Sequence, residues 1–131
     1  MIALDTNVLA RVLNCDNAKQ TESALSLIER NPCFVAITVI LELEWVMRSS
    51  YKLDKKTIAH SFSHLMQINN LHFEHEARLK HALKLHVEGL DFADALHHVL
   101  ALGCDSFATF DKEFSRQSGS LGLEPAVTLL S

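Results

Sequence analysis

Four acidic side chains in this sequence lie at or shortly after the ends of short apolar segments. They are Asp5, Glu42, Asp94 and Asp111. Sites built from carboxylate oxygens favour Mg²⁺ or Mn²⁺ over zinc. Such ions activate water and stabilise the charged oxygens of a phosphodiester, so no serine or cysteine nucleophile is needed. Four carboxylates gathered in one place would repel one another without cations, and the chemistry they predict is metal-dependent phosphodiester hydrolysis.

Each aspartate also has a simpler structural interpretation. Asp5 and Asp111 follow apolar segments and are good helix N-caps. Asp91 has the position of an N-cap, and Asp94, three residues later, the N3 position of a capping box. A carboxylate in a first helical turn also meets the positive end of the helix dipole, which keeps it ionised. Each acid has a structural explanation of its own, but the four do not easily share one.

Glu42 is the most informative of the four, because its helical neighbours Val39, Trp45 and Val46 are apolar. A carboxylate beside an apolar stripe needs a partner or a metal, although a glutamate at the edge of the stripe could also reach solvent. Glu44, by contrast, has Arg48 four residues later and is interpreted as a solvated ion pair.

The acids must be positioned by alternating strands and helices. The predicted strands are Ile2–Leu4, Phe34–Ile37, Leu71–Phe73, Phe107–Thr109 and Ala126–Leu129. The predicted helices are Asn7–Leu13, Ala18–Glu29, Thr38–Ser50, Lys55–Ile68, Glu74–Val87 and Phe92–Leu102, followed by a helical turn over Asp111–Ser115. We expect Asp54 and Asp91 to cap two of these helices and Gly103 to end one of them.

Short apolar strands that alternate with helices predict an α/β fold with a central, mainly parallel sheet covered on both faces. No linker, repeat or low-complexity tract divides the sequence, so residues 1–131 are predicted to form one domain. Ligands of open parallel sheets bind beyond the carboxyl ends of the strands. The same edge of the sheet is where the acids are expected.

Composition limits the cellular setting. Cys15, Cys33 and Cys104 are odd in number, lie far apart and form no CxxC, so we expect small buried thiols in a reducing, cytoplasmic compartment. Asp5 argues against a secretory signal, and no apolar stretch is long enough to span a membrane. The net charge is −4, but without the four acids 12 acidic residues balance 12 Lys and Arg. Overall acidity therefore does not exclude a phosphate-bearing substrate.

Four ordered motifs around the acids resemble a known family. They are the segments Leu4–Leu9, Leu41–Arg48, Asp91–Leu96 and Thr109–Phe114. Together they resemble a PIN domain, specifically the VapC toxins of bacterial toxin–antitoxin systems, over essentially the whole chain. The resemblance implies a three-layer α/β/α sandwich in which the four acids bind Mg²⁺. It also implies supporting roles for Thr6, Asn7 and Thr109, and an auxiliary role for Asp91, for which capping is the preferred function.

The resemblance also implies a biological role. Its members are small RNA endonucleases that often cut tRNA or ribosomal RNA and so inhibit translation. They form homodimers and are inhibited by a VapB-like antitoxin, whose C-terminal segment lies across the active groove. Operator DNA is then reached only indirectly, through the antitoxin, and no membrane is involved.

RNA requires cations for its phosphates, and the basic residues that follow the site motifs are candidates, each with an ordinary solvated surface as its alternative. These candidates are Arg11, Arg48, Lys112 and Arg116. His60 and His64 have the i,i+4 spacing of a zinc-binding pair, but solvated surface histidines are the preferred interpretation. Trp45 and Met47 fit a dimer or antitoxin contact and plain core packing equally well.

Three other functions fit the sequence less well. A non-catalytic PIN-like module that only binds RNA or a protein is disfavoured because all four acids are present. A structure-specific DNA nuclease would need a helical arch for which the chain is too short. A haloacid-type phosphohydrolase would need a second aspartate where Asn7 stands, so this interpretation fails.

Overall fold

The first unit is organised around three short parallel strands. The computed structural model describes every residue from Met1 to Ser131 and divides into two compact units, Met1–Glu76 and Ala77–Ser131. In the first unit the strands are β1 (Ile2–Ala3), β2 (Cys33–Val35) and β3 (Leu71–Phe73), paired in the order β1-β2-β3. Cys33 on the central strand is aligned with Ile2 on one side and Leu71 on the other. Their carboxyl ends therefore share one edge of the sheet.

Four helices complete this unit: α1 (Thr6–Asn14), α2 (Ala18–Arg30), α3 (Ile37–Ser49) and α4 (Lys55–Met66). Three begin at a side-chain cap, because Asp5, Asn17 and Asp54 each accept a hydrogen bond from a backbone N–H at the start of the helix. The predicted cap at Asp54 is confirmed. Large apolar side chains from α1, α3 and α4 form the buried core: Leu9, Ile40, Leu43, Met47, Ile58, Phe62 and Leu65.

The second unit contains three helices and a two-stranded parallel sheet. Its elements are α5 (Glu76–Val87), α6 (Phe92–Val99), β4 (Phe107–Thr109), α7 (Lys112–Leu121) and β5 (Val127–Leu129). Phe107 is aligned with Val127 and Thr109 with Leu129. His98 is buried on α6 and its Nε2 lies 2.7 Å from the carbonyl oxygen of Pro125. This contact connects α6 to the segment that leads into β5.

Two helix ends in the second unit differ from the prediction. Helix α6 ends at Val99, not at Leu102, because the chain continues in turns closed by N–H donation from Ala101 to His98 and from Cys104 to Ala101. Gly103, with φ of 94°, takes the positive-φ position in these turns and is not the residue that ends the helix. The predicted turn over Asp111–Ser115 is the start of a ten-residue helix, which ends at Gly122 in the left-handed conformation.

The predicted α/β class with parallel strands is confirmed, with strand pairing found as one parallel sheet in each unit. Organisation as one domain stays a prediction. The expectation for the cysteines is wrong at two of three positions, because only Cys33 is buried and Cys15 and Cys104 are exposed. Cys15 is the residue after the last turn of α1, and Cys104 lies in the turns after α6, so neither lies on the packed face of a helix or strand. No helix has the length and apolar character needed to cross a bilayer.

Candidate active site

The first acid is held at the junction of β1 and α1. Leu4 continues the pairing of β1 by donating its N–H to the carbonyl of Phe34, and Asp5 follows as the N-cap of α1. Its Oδ1 accepts the N–H of Thr6 at 2.8 Å, while the residue as a whole is exposed. The capping interpretation of Asp5 is therefore correct. One bond to one oxygen leaves most of the acceptor capacity of the carboxylate available to a ligand.

Thr6 lies directly behind this carboxylate and is nearly inaccessible, with 3% of its surface exposed. Its hydroxyl oxygen is buried and has no hydrogen-bond partner. A buried polar atom without a partner is uncommon and costs free energy. A ligand or a water could satisfy this hydroxyl, and Thr6 directly follows the first predicted metal ligand.

Helix α3 places its two glutamates on different sides. Its buried face consists of Ile40, Leu43, Glu44 and Met47, the spacing of one helix side. Glu42 lies outside this face and is exposed, which matches the alternative of a glutamate that reaches solvent at the edge of the apolar stripe.

Glu44 takes the inward position, only 3% exposed, and accepts a hydrogen bond from Arg48 Nε at 2.9 Å. The ion pair was predicted correctly, but its solvation was not. Because α3 is apolar on almost every side, packing and not the local pattern decides which glutamate is buried. Glu42 is thereby left free for a ligand.

One carboxylate near the strand ends was missed. The start of α3 has no side-chain cap of its own at Ala36. Glu74, just after β3, supplies it by accepting the N–H of Ile37 at 2.9 Å, and its own N–H donates to Val35. The only sequence signal was an acid directly after a strand, the pattern that led to the other acids. One carboxylate oxygen of Glu74 holds the backbone at the start of α3, which gives this side chain a structural role.

A groove of about 560 Å³ between α1 and α2 is lined by Asn7 and Arg11 and also by Lys19, which the sequence did not single out. Lys19 lies in the first helical turn of α2, where nothing in the sequence distinguishes it from an ordinary surface lysine. Arg11 is not free within this groove. Its guanidinium donates to Gln20 at 2.5 Å and to Asp16 at 3.0 Å.

The second unit brings three carboxylates into electrostatic contact. Asp91 caps α6 by accepting the N–H of Asp94 at 3.1 Å, as predicted. Asp94 itself is half-buried in the first turn of α6 and caps nothing. Burial raises the pKa of Asp94, the carboxylates of Asp91 and Asp111 raise it further, and His97 acts in the opposite direction. The surroundings of Asp94 thus disfavour its charged form, and a bound cation would offset that effect.

Asp111 is held by a tight set of hydrogen bonds after β4. Its N–H donates to the hydroxyl oxygen of Thr109 at 3.0 Å, and its Oδ1 accepts the N–H of Phe114 at 3.0 Å as the N-cap of α7. Thr109 therefore orients the acid through the backbone, and its supporting role at a metal site stays a prediction. Asp111 as a whole residue is exposed.

Three of the four candidate RNA-binding cations are engaged with acids. Arg11 pairs with Asp16, Arg48 with Glu44, and Arg116 with Glu113. Lys112 is the exception, because it is exposed, follows Asp111 directly and forms no ion pair. Of the four, it is the one whose charge is available to a phosphate.

The histidines do not form a metal site. The Nε2 atoms of His60 and His64 are 3.0 Å apart on the exposed side of α4. In neither unit do three or more His, Cys, Asp or Glu side chains form a group that encloses an ion. His97 is exposed, whereas His98 is buried.

Trp45 and Met47, which by sequence fit either core packing or a protein contact, differ in the structure. Met47 belongs to the core, whereas Trp45 is 56% exposed.

Comparison with known families identifies the chain. The PIN domain family model matches residues 2–119. The chain belongs to the PIN domain family. No curated protein matches it significantly.

PIN domains have a nuclease-type fold and commonly use divalent metals such as Mg²⁺. In this PIN domain the donor chemistry fits such an ion, because the residues at the predicted positions offer hard carboxylate oxygens. Asp5 and Asp111 each have an oxygen not used in capping, and Asp94 lies among like charges.

Proposed function

We propose that this PIN domain is a Mg²⁺-dependent RNA endonuclease, with Mn²⁺ as an alternative ion, and that Asp5, Glu42, Asp94 and Asp111 hold the metal. The observation that carries the proposal is the half-buried Asp94 carboxylate in the first turn of α6, which caps nothing and whose pKa is raised by burial and by the carboxylates of Asp91 and Asp111. A fold that needed these groups only for stability would not maintain a half-buried carboxylate against two others. The exposure of Glu42, which has no structural partner, supports the same assignment.

In this proposal the chain's own residues bind and orient. The divalent ion supplies activated water and stabilises negative charge on the phosphodiester oxygens. Asp5 and Asp111 are pre-oriented by the backbone bonds that cap α1 and α7, so little side-chain freedom is lost on binding. Thr109 fixes the position of Asp111, and Thr6, whose buried hydroxyl has no partner and which follows Asp5 in the chain, would support the ligand shell. Asn7, exposed in the first turn of α1, is a further supporting residue.

We further propose the biological role of a VapC-type toxin. The support is the ordered set of four motifs, which resembles that class throughout the chain. The protein would then inhibit translation by cleaving tRNA or ribosomal RNA in the cytoplasm. It would act as a homodimer, be neutralised by a VapB-like antitoxin, and reach operator DNA only through that antitoxin.

The test of the nuclease is cleavage of RNA with Mg²⁺, with Mn²⁺ and with a chelator, by the wild type and by Asp5→Asn and Asp94→Asn. Asparagine preserves shape and capping ability but removes the charge, so we expect folded proteins that do not cleave. Asp105→Asn is the matched control, because Asp105 is an exposed aspartate of the second unit outside the motifs. Cleavage that survives the chelator and both site substitutions contradicts the proposal. RNA binding without turnover would indicate the non-catalytic module.

The toxin role needs a separate test. Induction in cells should stop translation and produce new RNA ends that sequencing maps to tRNA or ribosomal RNA, and Asp5→Asn should abolish both effects. New ends confined to messenger RNA would contradict the proposed target class without contradicting the nuclease.

A further inference from the structure

Three phenylalanines close in sequence to Asp111 have different surroundings. Phe107 and Phe114 pack edge to face, with ring centres 5.5 Å apart, and both also contact the ring of His98. Phe110 lies between them in sequence, yet its side chain points outward and 72% of the residue is exposed. The aromatic core of this unit is therefore complete without Phe110.

The backbone on both sides of Phe110 is fixed. The carbonyl of Thr109 accepts the N–H of Leu130 at 2.8 Å, which extends the pairing of β4 with β5. On the other side, the N–H of Asp111 is held by the Thr109 hydroxyl, and the Asp111 carboxylate holds the start of α7. An exposed ring on such a turn loses little backbone freedom when a ligand covers it.

A single exposed apolar residue is ordinary on a protein surface. What indicates a binding role for Phe110 is its position in the chain. It directly precedes Asp111, a proposed metal ligand, and Lys112 directly follows that ligand with no ion pair. Within three consecutive residues the turn therefore presents an aromatic face, a carboxylate and a cation. These are groups suited to a base, a metal and a phosphate, respectively.

We infer that Phe110 stacks on an unpaired base of the RNA next to the phosphodiester at the acidic site. This inference rests on the proposed function and deepens it, because it assigns the substrate to RNA that is single-stranded at that nucleotide. In a duplex the base is already stacked on its neighbours and paired, whereas a loop or single strand leaves its face accessible. A phenyl ring has no hydrogen-bonding groups, so the contact selects an open base and not a particular base.

The experiment measures binding of short single-stranded RNAs to the Asp94→Asn protein by fluorescence anisotropy. One parent RNA is compared with a series in which successive nucleotides lack their base. We expect the loss of one particular base to weaken binding about 5- to 150-fold, the range of a single base–aromatic stack. Adding Phe110→Ala should weaken binding of the parent RNA by a similar factor and make the protein insensitive to the loss of that base. Phe110→Trp should restore the sensitivity.

Leu102→Ala is the matched control, because Leu102 is 63% exposed in the same unit and follows α6, away from the turn. It should bind every RNA of the series as the Asp94→Asn parent does. Unchanged binding with Phe110→Ala overturns the inference. A changed oligomeric state of Phe110→Ala by light scattering also overturns it, because the ring then contacts a protein.

The same measurements separate this inference from the nuclease. If Phe110→Ala cleaves RNA as efficiently as the wild type, the stacking inference is overturned and the nuclease proposal is not. A base-specific loss of binding in a protein that never cleaves RNA supports stacking and contradicts the nuclease.

Discussion

Replacing Thr6 by valine should make the protein more stable and less active. Valine has nearly the shape of threonine but has a methyl group in place of the hydroxyl, which in Thr6 is buried without a partner. Removing an unsatisfied buried hydroxyl should raise the free energy of unfolding of the metal-free protein by about 1–2 kcal/mol. The midpoint of thermal unfolding should rise by about 3 °C for each kcal/mol. If the hydroxyl supports the metal shell, RNA cleavage should fall by about 10- to 100-fold.

Thr6→Ser is the matched control, because it keeps the hydroxyl and removes the buried methyl group. It should lower the free energy of unfolding by about 1 kcal/mol and leave cleavage close to the wild-type rate. Urea unfolding followed by circular dichroism, with a chelator present and an unchanged m-value, measures the stabilities. A valine variant that is as destabilised as the serine variant would refute the reasoning, because the hydroxyl would then have a partner in the folded protein.

Three further outcomes are expected. His98→Ala should lower the free energy of unfolding by about 3 kcal/mol in calorimetry, because it leaves a cavity against Phe107 and removes the bond to Pro125. A hydrogen bond from the backbone N–H of Thr57 holds the pKa of the Asp54 carboxyl below its usual range. The stabilisation that the Asp54 carboxylate provides is therefore present at neutral pH and is lost as pH falls through the lowered pKa. Stability measured against pH should therefore fall less in acid for Asp54→Asn, and parallel curves would contradict this. Lys112→Ala should weaken RNA binding uniformly across sequences and reduce the dependence of log K on log salt by about one unit, whereas an unchanged slope would show no phosphate contact.

Much of the fold could be predicted because its signals are local. The strands Leu71–Phe73 and Phe107–Thr109 are short apolar segments between polar ones, and the structure has the same boundaries. The caps at Asp54 and Asp91 depend on residues three positions away, so they too are readable from the sequence. The true length of α7 was hidden because its sequence is largely polar and includes Gly119, a poor helix former.

Features decided by distant parts of the chain could not be predicted. The inward position of Glu44 and the outward position of Glu42 depend on what packs against α3. Glu74 caps a helix that begins 37 residues earlier, a relation that no local pattern contains. In the candidate site, the rule that ligands bind at strand ends predicted that Asp111 lies near Asp94. The contribution of the Asp111 carboxylate to the raised pKa of Asp94 is consistent with that proximity. The joint metal site of all four acids stays a prediction.

The capping bonds of Asp5, Asp91 and Asp111 have a consequence for how this protein can change over generations. A copy that lost its catalytic activity would still need these aspartates to start α1, α6 and α7, so selection for a folded protein alone would retain them. Glu42 and Asp94 start no helix, and the charge of Asp94 opposes its surroundings. In a lineage released from nuclease function, these two positions should be the first of the acids to drift.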